Sequence, residues 1–165
     1  MNRSFDPVAG KDARILILGS FPGVMSLEKQ QYYGHGRNQF WTILAALLDE
    51  PLPEDYDGRL AMLLAHRIAL WDVLNSCQRQ GSLDTRIRNP QPNDLEGFLD
   101  QYQDIRHVFL NGATAEKLFE RFFGHLTISR TRLPSTSPAH TMSLAAKKDA
   151  WRAVLRPLRH GNFQA

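Results

Sequence analysis

The sequence predicts an α/β fold, a three-layer α/β/α sandwich around a central, mostly parallel four-stranded sheet. Three observations point there. Four short apolar stretches, Arg14 to Leu18, Ile68 to Leu74, His107 to Leu110 and Leu126 to Arg132, have the length and residue types of buried strands. Helical periodicities lie between them, and alternation of strand and helix favours a parallel sheet covered on both faces. At 165 residues and 42% hydrophobic content, the chain suits one compact domain spanning residues 1–165.

The elements follow in order. After the first strand comes a connection from Gly19 to Asn38, long for a strand-to-helix link and for that reason a candidate functional loop. Phe40, Ile43, Leu44 and Leu47 then repeat at helical spacing, as do Ala115, Leu118, Phe119 and Phe122, with Gly124 placed to end that helix. Asn93 with Glu96 resembles a capping box opening a helix through Leu99. A last helix starts near Ser143 and carries Leu144, Trp151, Leu155 and Leu158 on one side, with Pro157 at its fraying end. In such a sheet, ligands bind outside the carboxyl ends of the strands. Three loops should therefore meet at one crevice: Gly19 to Asn38, Asn111 to Thr114, and Leu133 to Thr141.

Composition excludes several classes. The single cysteine, Cys77, closes no internal disulfide and holds no zinc or iron–sulfur centre alone, so no metal cluster is expected. No apolar run approaches the roughly 20 residues of a membrane span, and the N-terminal segment lacks a signal-peptide core, so a soluble, cytoplasmic protein is expected. The net charge is only +3, yet from Leu126 onward Arg130, Arg132, Lys147, Lys148, Arg152, Arg156 and Arg159 face one acid, Asp149. That asymmetry suits a polyanion, though charge alone reads first as a solvated helix face.

The loops supply the chemistry. Gly19, Pro22 and Gly23 can turn the backbone so that N–H groups point into the crevice, while Phe21, Tyr32, Tyr33 and Phe40 offer faces to a planar ring or simply pack the loop. Asn38 stands just before the helix at Phe40, where a carboxamide caps the helix and also faces the crevice. Asn111 ends the third strand in FLNGATA, where it either turns the chain with Gly112 or reads the edge of a base. Ser135, Thr136 and Ser137, with Arg130 and Arg132 close before them, make either a phosphate clamp or a polar turn. Asp72, Asp84 and His35 are further polar candidates whose spacing identifies neither a triad nor a metal site.

Taken together, LGSFPG, QYYGHGRNQFW, WDVLNSCQRQGSLDTRI, FLNGATA and LPSTSPAHT resemble, in order and spacing, the hypoxanthine-DNA glycosylase branch of the uracil-DNA glycosylase superfamily, over roughly Ile15 to Trp151. The resemblance implies a monofunctional base-excision repair enzyme, monomeric and acting on duplex DNA, with no metal or organic cofactor. It implies a base pocket of Gly19, Ser20, Phe21, Pro22, Gly23, Tyr33 and Asn111, and DNA contacts from Ser135, Thr136, Ser137, Pro138 and His140. Most branches place an Asp or Asn before the proline of the first motif, where this chain has Phe21; in the resembled branch an asparagine matching Asn38 takes over and makes it the catalytic candidate. The last motif of uracil-specific relatives begins with a His that steadies the departing base, where this chain has Leu133. Leaving-group help must therefore come from elsewhere, through a dissociative mechanism in which the site stabilises charge. His140 would lie where relatives insert a wedge into the vacated stack. Three other readings stay open: a uracil or thymine mismatch glycosylase, an acyl hydrolase using Ser20 with His140 and Asp84, and a non-catalytic DNA- or nucleotide-binding domain.

Overall fold

The computed structural model describes residues 2–160. In chain order the elements are β1 (Asn2–Arg3), β2 (Ile15–Gly19), α1 (Val24–Lys29), α2 (Phe40–Leu47), α3 (Tyr56–Ala65), β3 (Ile68–Asp72), β4 (Leu74–Gln78), β5 (Arg88–Pro92), α4 (Leu95–Gln101), β6 (His107–Asn111), α5 (Ala113–Phe123), β7 (Ser129–Leu133), α6 (Leu144–Trp151) and α7 (Leu155–His160).

Strands β3, β2, β6 and β7 lie side by side in that order, every pair parallel. Alternation along β2 sets the layers. Ile15 and Ile17 face one way, into a core with α2, α3 and Trp151 of α6; Leu16 and Leu18 face the other, into a core with α4 and α5. Both faces are thus covered, which is why these strands read as continuous apolar runs rather than alternating ones. The expected three-layer α/β/α arrangement is the observed one.

Four local expectations change. The run Ile68 to Leu74 is two strands, because the chain leaves the parallel sheet at Val73 and β4 joins a separate antiparallel sheet, β1-β4-β5. The connection after β2 holds the short helix α1, and α3, opened by Asp55 accepting from the Gly58 N–H at 2.7 Å, was not anticipated. Asp94, not Asn93, caps α4, by accepting from the Gly97 N–H at 3.0 Å, while Asn93 is buried at the site described below. On α6, capped as expected by Ser143, Leu144 is exposed, and Lys147 and Trp151 are the buried pair. No described helix is long and apolar enough to cross a membrane.

Candidate active site

The register aligns the carboxyl ends of the strands. Gly19 stands opposite Asp72, Leu18 opposite Leu110, and Asn111 opposite Leu133, so three strand ends carry Asp72, Gly19 and Asn111 in one row. Over this row lies a cavity of about 280 Å3. At about 30 Å3 per liquid water that is room for a bicyclic ring, not merely for a few solvent molecules. The three predicted loops all contribute to it, and a fourth segment, Ser82 to Asp84, joins them.

The floor is built around Gly19. A Cβ there would sit 2.5 Å from Asp72 Oδ1 and 3.1 Å from Tyr33 Oη, so only glycine lets both groups approach the strand end. Asp72 is fixed through its backbone, its carbonyl accepting from Asn93 Nδ2 at 2.8 Å. Its side chain is buried, and Oδ2 has no hydrogen-bond partner. Burial, reinforced by the charge of nearby Asp84 and opposed by Arg79, lifts its carboxyl to about 7. Tyr33 is held in the left-handed region at φ 54° with its ring stacked on Phe40, centroids 4.1 Å apart. Such a backbone is uncommon for a bulky residue and marks an imposed position. Its hydroxyl is likewise buried without a partner. Burial first, and the Asp72 charge second, keep that phenol protonated, while the neighbouring Asn111 carboxamide opposes the rise without closing a well-formed hydrogen bond.

The wall beneath β6 and β7 is closed on itself. Asn111 Oδ1 accepts from the Thr136 N–H at 3.0 Å and Nδ2 donates to Thr136 Oγ1 at 3.1 Å, while the Thr136 carbonyl accepts from the Gln39 N–H at 3.1 Å. Thr136 is completely buried, which corrects its expected phosphate contact: it anchors the last loop from below. Asn111 lines the cavity with one amide proton and one lone pair to spare. Gly112 takes φ 99°, a conformation that L side chains rarely adopt, and a Cβ there would press on the Ser135 Cβ at 3.1 Å.

On the opposite side Ser20 Oγ donates to Asp84 Oδ1 at 2.9 Å. No histidine stands between them, and His140 lies exposed outside the cavity lining, so the Ser20–His140–Asp84 triad is not assembled. Burial raises the Asp84 carboxyl, and hydrogen bonds from Ser20 and Thr114, with the Arg79 charge, hold it back. Arg79 also donates to the Pro22 carbonyl and lies 5.1 Å from the Phe21 ring centroid, covering one face of that ring. Gly23 borders Ser82, whose Oγ accepts from the Val24 N–H at 2.8 Å.

At the lip of the cavity Asn38 sits one residue before the Gln39 cap of α2, and its Oδ1 accepts from the Phe40 N–H at 3.0 Å. Asn38 is thus not the N-cap itself, but from the position before it satisfies the first N–H of α2 while lining the cavity. Ser135, Ser137 and Pro138 line the other lip, and His140 follows with its N–H bonded to the Ser137 carbonyl at 3.0 Å. The expected Arg130 and Arg132 clamp is not formed. Arg130 grips Glu120 at 2.9 Å and the carbonyls of Gly124, Leu126 and Ile128, and Arg132 pairs with Glu116 at 3.4 Å. Lys147, counted among the solvated cations, is instead buried with Nζ donating to the Ser137 carbonyl at 3.2 Å. Among the described residues no group of His, Cys, Asp and Glu is arranged to hold a metal ion.

Residues 7–159 match the family model described as the uracil DNA glycosylase superfamily. Two relatives named hypoxanthine DNA glycosylase are similar along nearly their whole length. That of Methanosarcina barkeri is 35% identical over 93% of this chain and 98% of its own, and that of Methanosarcina acetivorans 34% over 94% and 99%. The solution NMR structure of a Methanosarcina acetivorans protein described as a candidate uracil DNA glycosylase superposes with a TM-score of 0.84 at 34% identity, covering 96% of this chain and 98% of that one. With the match spanning the whole sheet and all the cavity loops, the chain belongs to the uracil DNA glycosylase superfamily.

Proposed function

We propose that this protein is a monofunctional DNA glycosylase of base-excision repair that hydrolyses the N-glycosidic bond of deoxyinosine, with deoxyuridine as a second substrate, acting as a soluble cytoplasmic monomer. The observation that carries the reading is Asn38. Its Oδ1 keeps a second lone pair beyond the Phe40 bond and its Nδ2 has no protein partner among the described residues, at the lip of a base-sized cavity. In a chain with Phe21 before the proline, it is the amide placed to orient water toward the sugar. The base enters the pocket lined by Gly19, Ser20, Phe21, Pro22, Gly23, Tyr33 and Asn111, while Ser135, Ser137, Pro138 and His140 meet the DNA.

Two further facts support this. The similar Methanosarcina proteins carry the hypoxanthine name. Among the described residues no lysine lines the cavity, so none of them places a side-chain amine for the Schiff base that strand cleavage would require. Extruding the base costs a few kcal/mol, least where pairing is poor, so mismatched lesions should react fastest. Uracil shares with hypoxanthine a carbonyl beside a ring N–H, which is why it ranks second.

The test is base release under enzyme excess from duplexes holding deoxyinosine, deoxyuridine, thymidine or deoxyxanthosine. Hypoxanthine should leave fastest, and Asn38→Ala should slow it by about 100-fold or more with DNA affinity retained. An unchanged rate in that variant removes Asn38 from the chemistry. Release of only xanthine or thymine overturns the substrate.

A further inference from the structure

The departing base carries away the electron pair of its glycosidic bond, and this chain has Leu133 where a leaving-group histidine would stand. Resting on the glycosylase reading above, we propose that Tyr33 Oη and a proton-bearing Asp72 carboxyl, both set against the Cα of Gly19, form a two-donor hole that takes up the negative charge developing on the base.

Four observations converge on it. Both groups line the cavity, both carry a buried oxygen without a partner, and Asp72 is only 4% exposed. Both crowd the same missing Cβ of Gly19, which places them side by side at one strand end. Tyr33 is held there at an unfavourable positive φ. A buried donor left unsatisfied costs about 1–3 kcal/mol, and a carboxylic acid and a phenol kept neutral in an apolar site are the donors best suited to an emerging oxyanion. Burial favours the protonated form of both.

The step balances without a co-reactant. The C1′–N bond breaks and its electrons spread to the lactam oxygen of the base, where both O–H groups donate. Water adds to C1′ and gives up a proton, and the base gains one, so the products are the free base and the sugar hydroxyl. An ionised Asp72 would instead repel the leaving anion. The groups facing Asp72 are Asp84 and Arg79 from the segment after β4, Tyr32 and Tyr33 from the first loop, and Tyr56 from α3. The tyrosines stay neutral and Arg79 stays charged through the neutral range.

The test is single-turnover hypoxanthine release between pH 6 and 9 by the wild type, Tyr33→Phe and Asp72→Asn, with DNA affinity measured in parallel. Tyr33→Phe should lose about 100-fold in rate at unchanged affinity. The wild-type rate should fall as pH rises through about 7. Asp72→Asn, which keeps an N–H donor but cannot ionise, should lack that fall. A purely structural Asp72 would not move the pH profile, and the wild-type profile decides even if a variant fails to fold. A Tyr33→Phe rate close to wild type, or a flat wild-type profile, overturns the hole while leaving the glycosylase reading intact. Absence of any base release by the folded wild type overturns both.

Discussion

On the β6–β7 side of the cavity Asn111 and Thr136 close two hydrogen bonds on each other and a third ties the loop to Gln39. On the β3–β2 side Asp72 Oδ2 and Tyr33 Oη are buried without closing a well-formed hydrogen bond. A fold selected only for stability would satisfy both walls, because buried polar groups are ordinarily paired. The first wall is chiefly scaffold, holding the last loop over the strand ends, with Asn111 keeping one amide proton and one lone pair toward the cavity. The second keeps its hydrogen-bonding capacity free for a ligand, at a cost in stability. That contrast can be broken or sharpened by measurement.

The largest effect should come from the pH dependence of folding. Below the range of an unfolded carboxyl, both folded and unfolded chains hold the Asp72 proton and stability is undiminished. As pH rises the unfolded chain releases it first, while the folded chain retains it until about 7, so stability is lost across that window. Between pH 5 and 8 the wild type should lose on the order of 3 kcal/mol more than Asp72→Asn, at about 1.4 kcal/mol per pKa unit. Urea melts of both proteins at each pH give the difference, and parallel curves would mean that Asp72 is not the unsatisfied group it looks to be.

Gly19→Ala tests the gap itself. The added methyl would meet Asp72 Oδ1 and Tyr33 Oη at 2.5 and 3.1 Å, so one or both must move. A displacement of about 1 Å at a reacting centre can cost about 100-fold in rate, and base release should fall by that order while the sheet still folds. Smaller still, Asn111→Ala should leave the buried Thr136 N–H and hydroxyl unpaired and cost about 2 kcal/mol in a denaturant melt. The same change at the scaffold wall should shift stability more than it shifts the pH profile of the reaction. The reverse ordering would erase the distinction between the two walls.

The two walls also differ in how visible they were in the sequence. The parallel sheet was legible because both of its faces are buried, which leaves continuous apolar runs with helices between them. A carboxamide at a helix start or strand end has a local meaning that singles out Asn38 and Asn111, but only the family resemblance makes Asn38 the catalytic candidate. The antiparallel sheet was not. Its edge strand β5 reads RNPQP, and prolines at an edge give no periodic signal. Beyond its being a lone acid inside an apolar strand run, nothing in the sequence around Asp72 marks it out, since the residues that make it unusual, Gly19, Tyr33, Arg79 and Asp84, are joined to it by strand register and by a loop packing back over the sheet.

Charge was the least legible property, and its test is correspondingly fine. Counting cations from Leu126 onward suggested a clamp, yet Arg130 and Arg132 are committed to Glu120 and Glu116, and Lys147 is withdrawn beneath Ser137. Sequence position does not report whether a cation is already partnered by an acid one helix away. Arg132 is the exposed member, so Arg132→Gln isolates the point. An exposed pair of this kind contributes at most about 1 kcal/mol, and the melt should barely move. If Arg132 met a phosphate, its removal would lower the slope of log affinity against log salt by about 1. With its guanidinium engaged by Glu116, that slope should instead match the wild type.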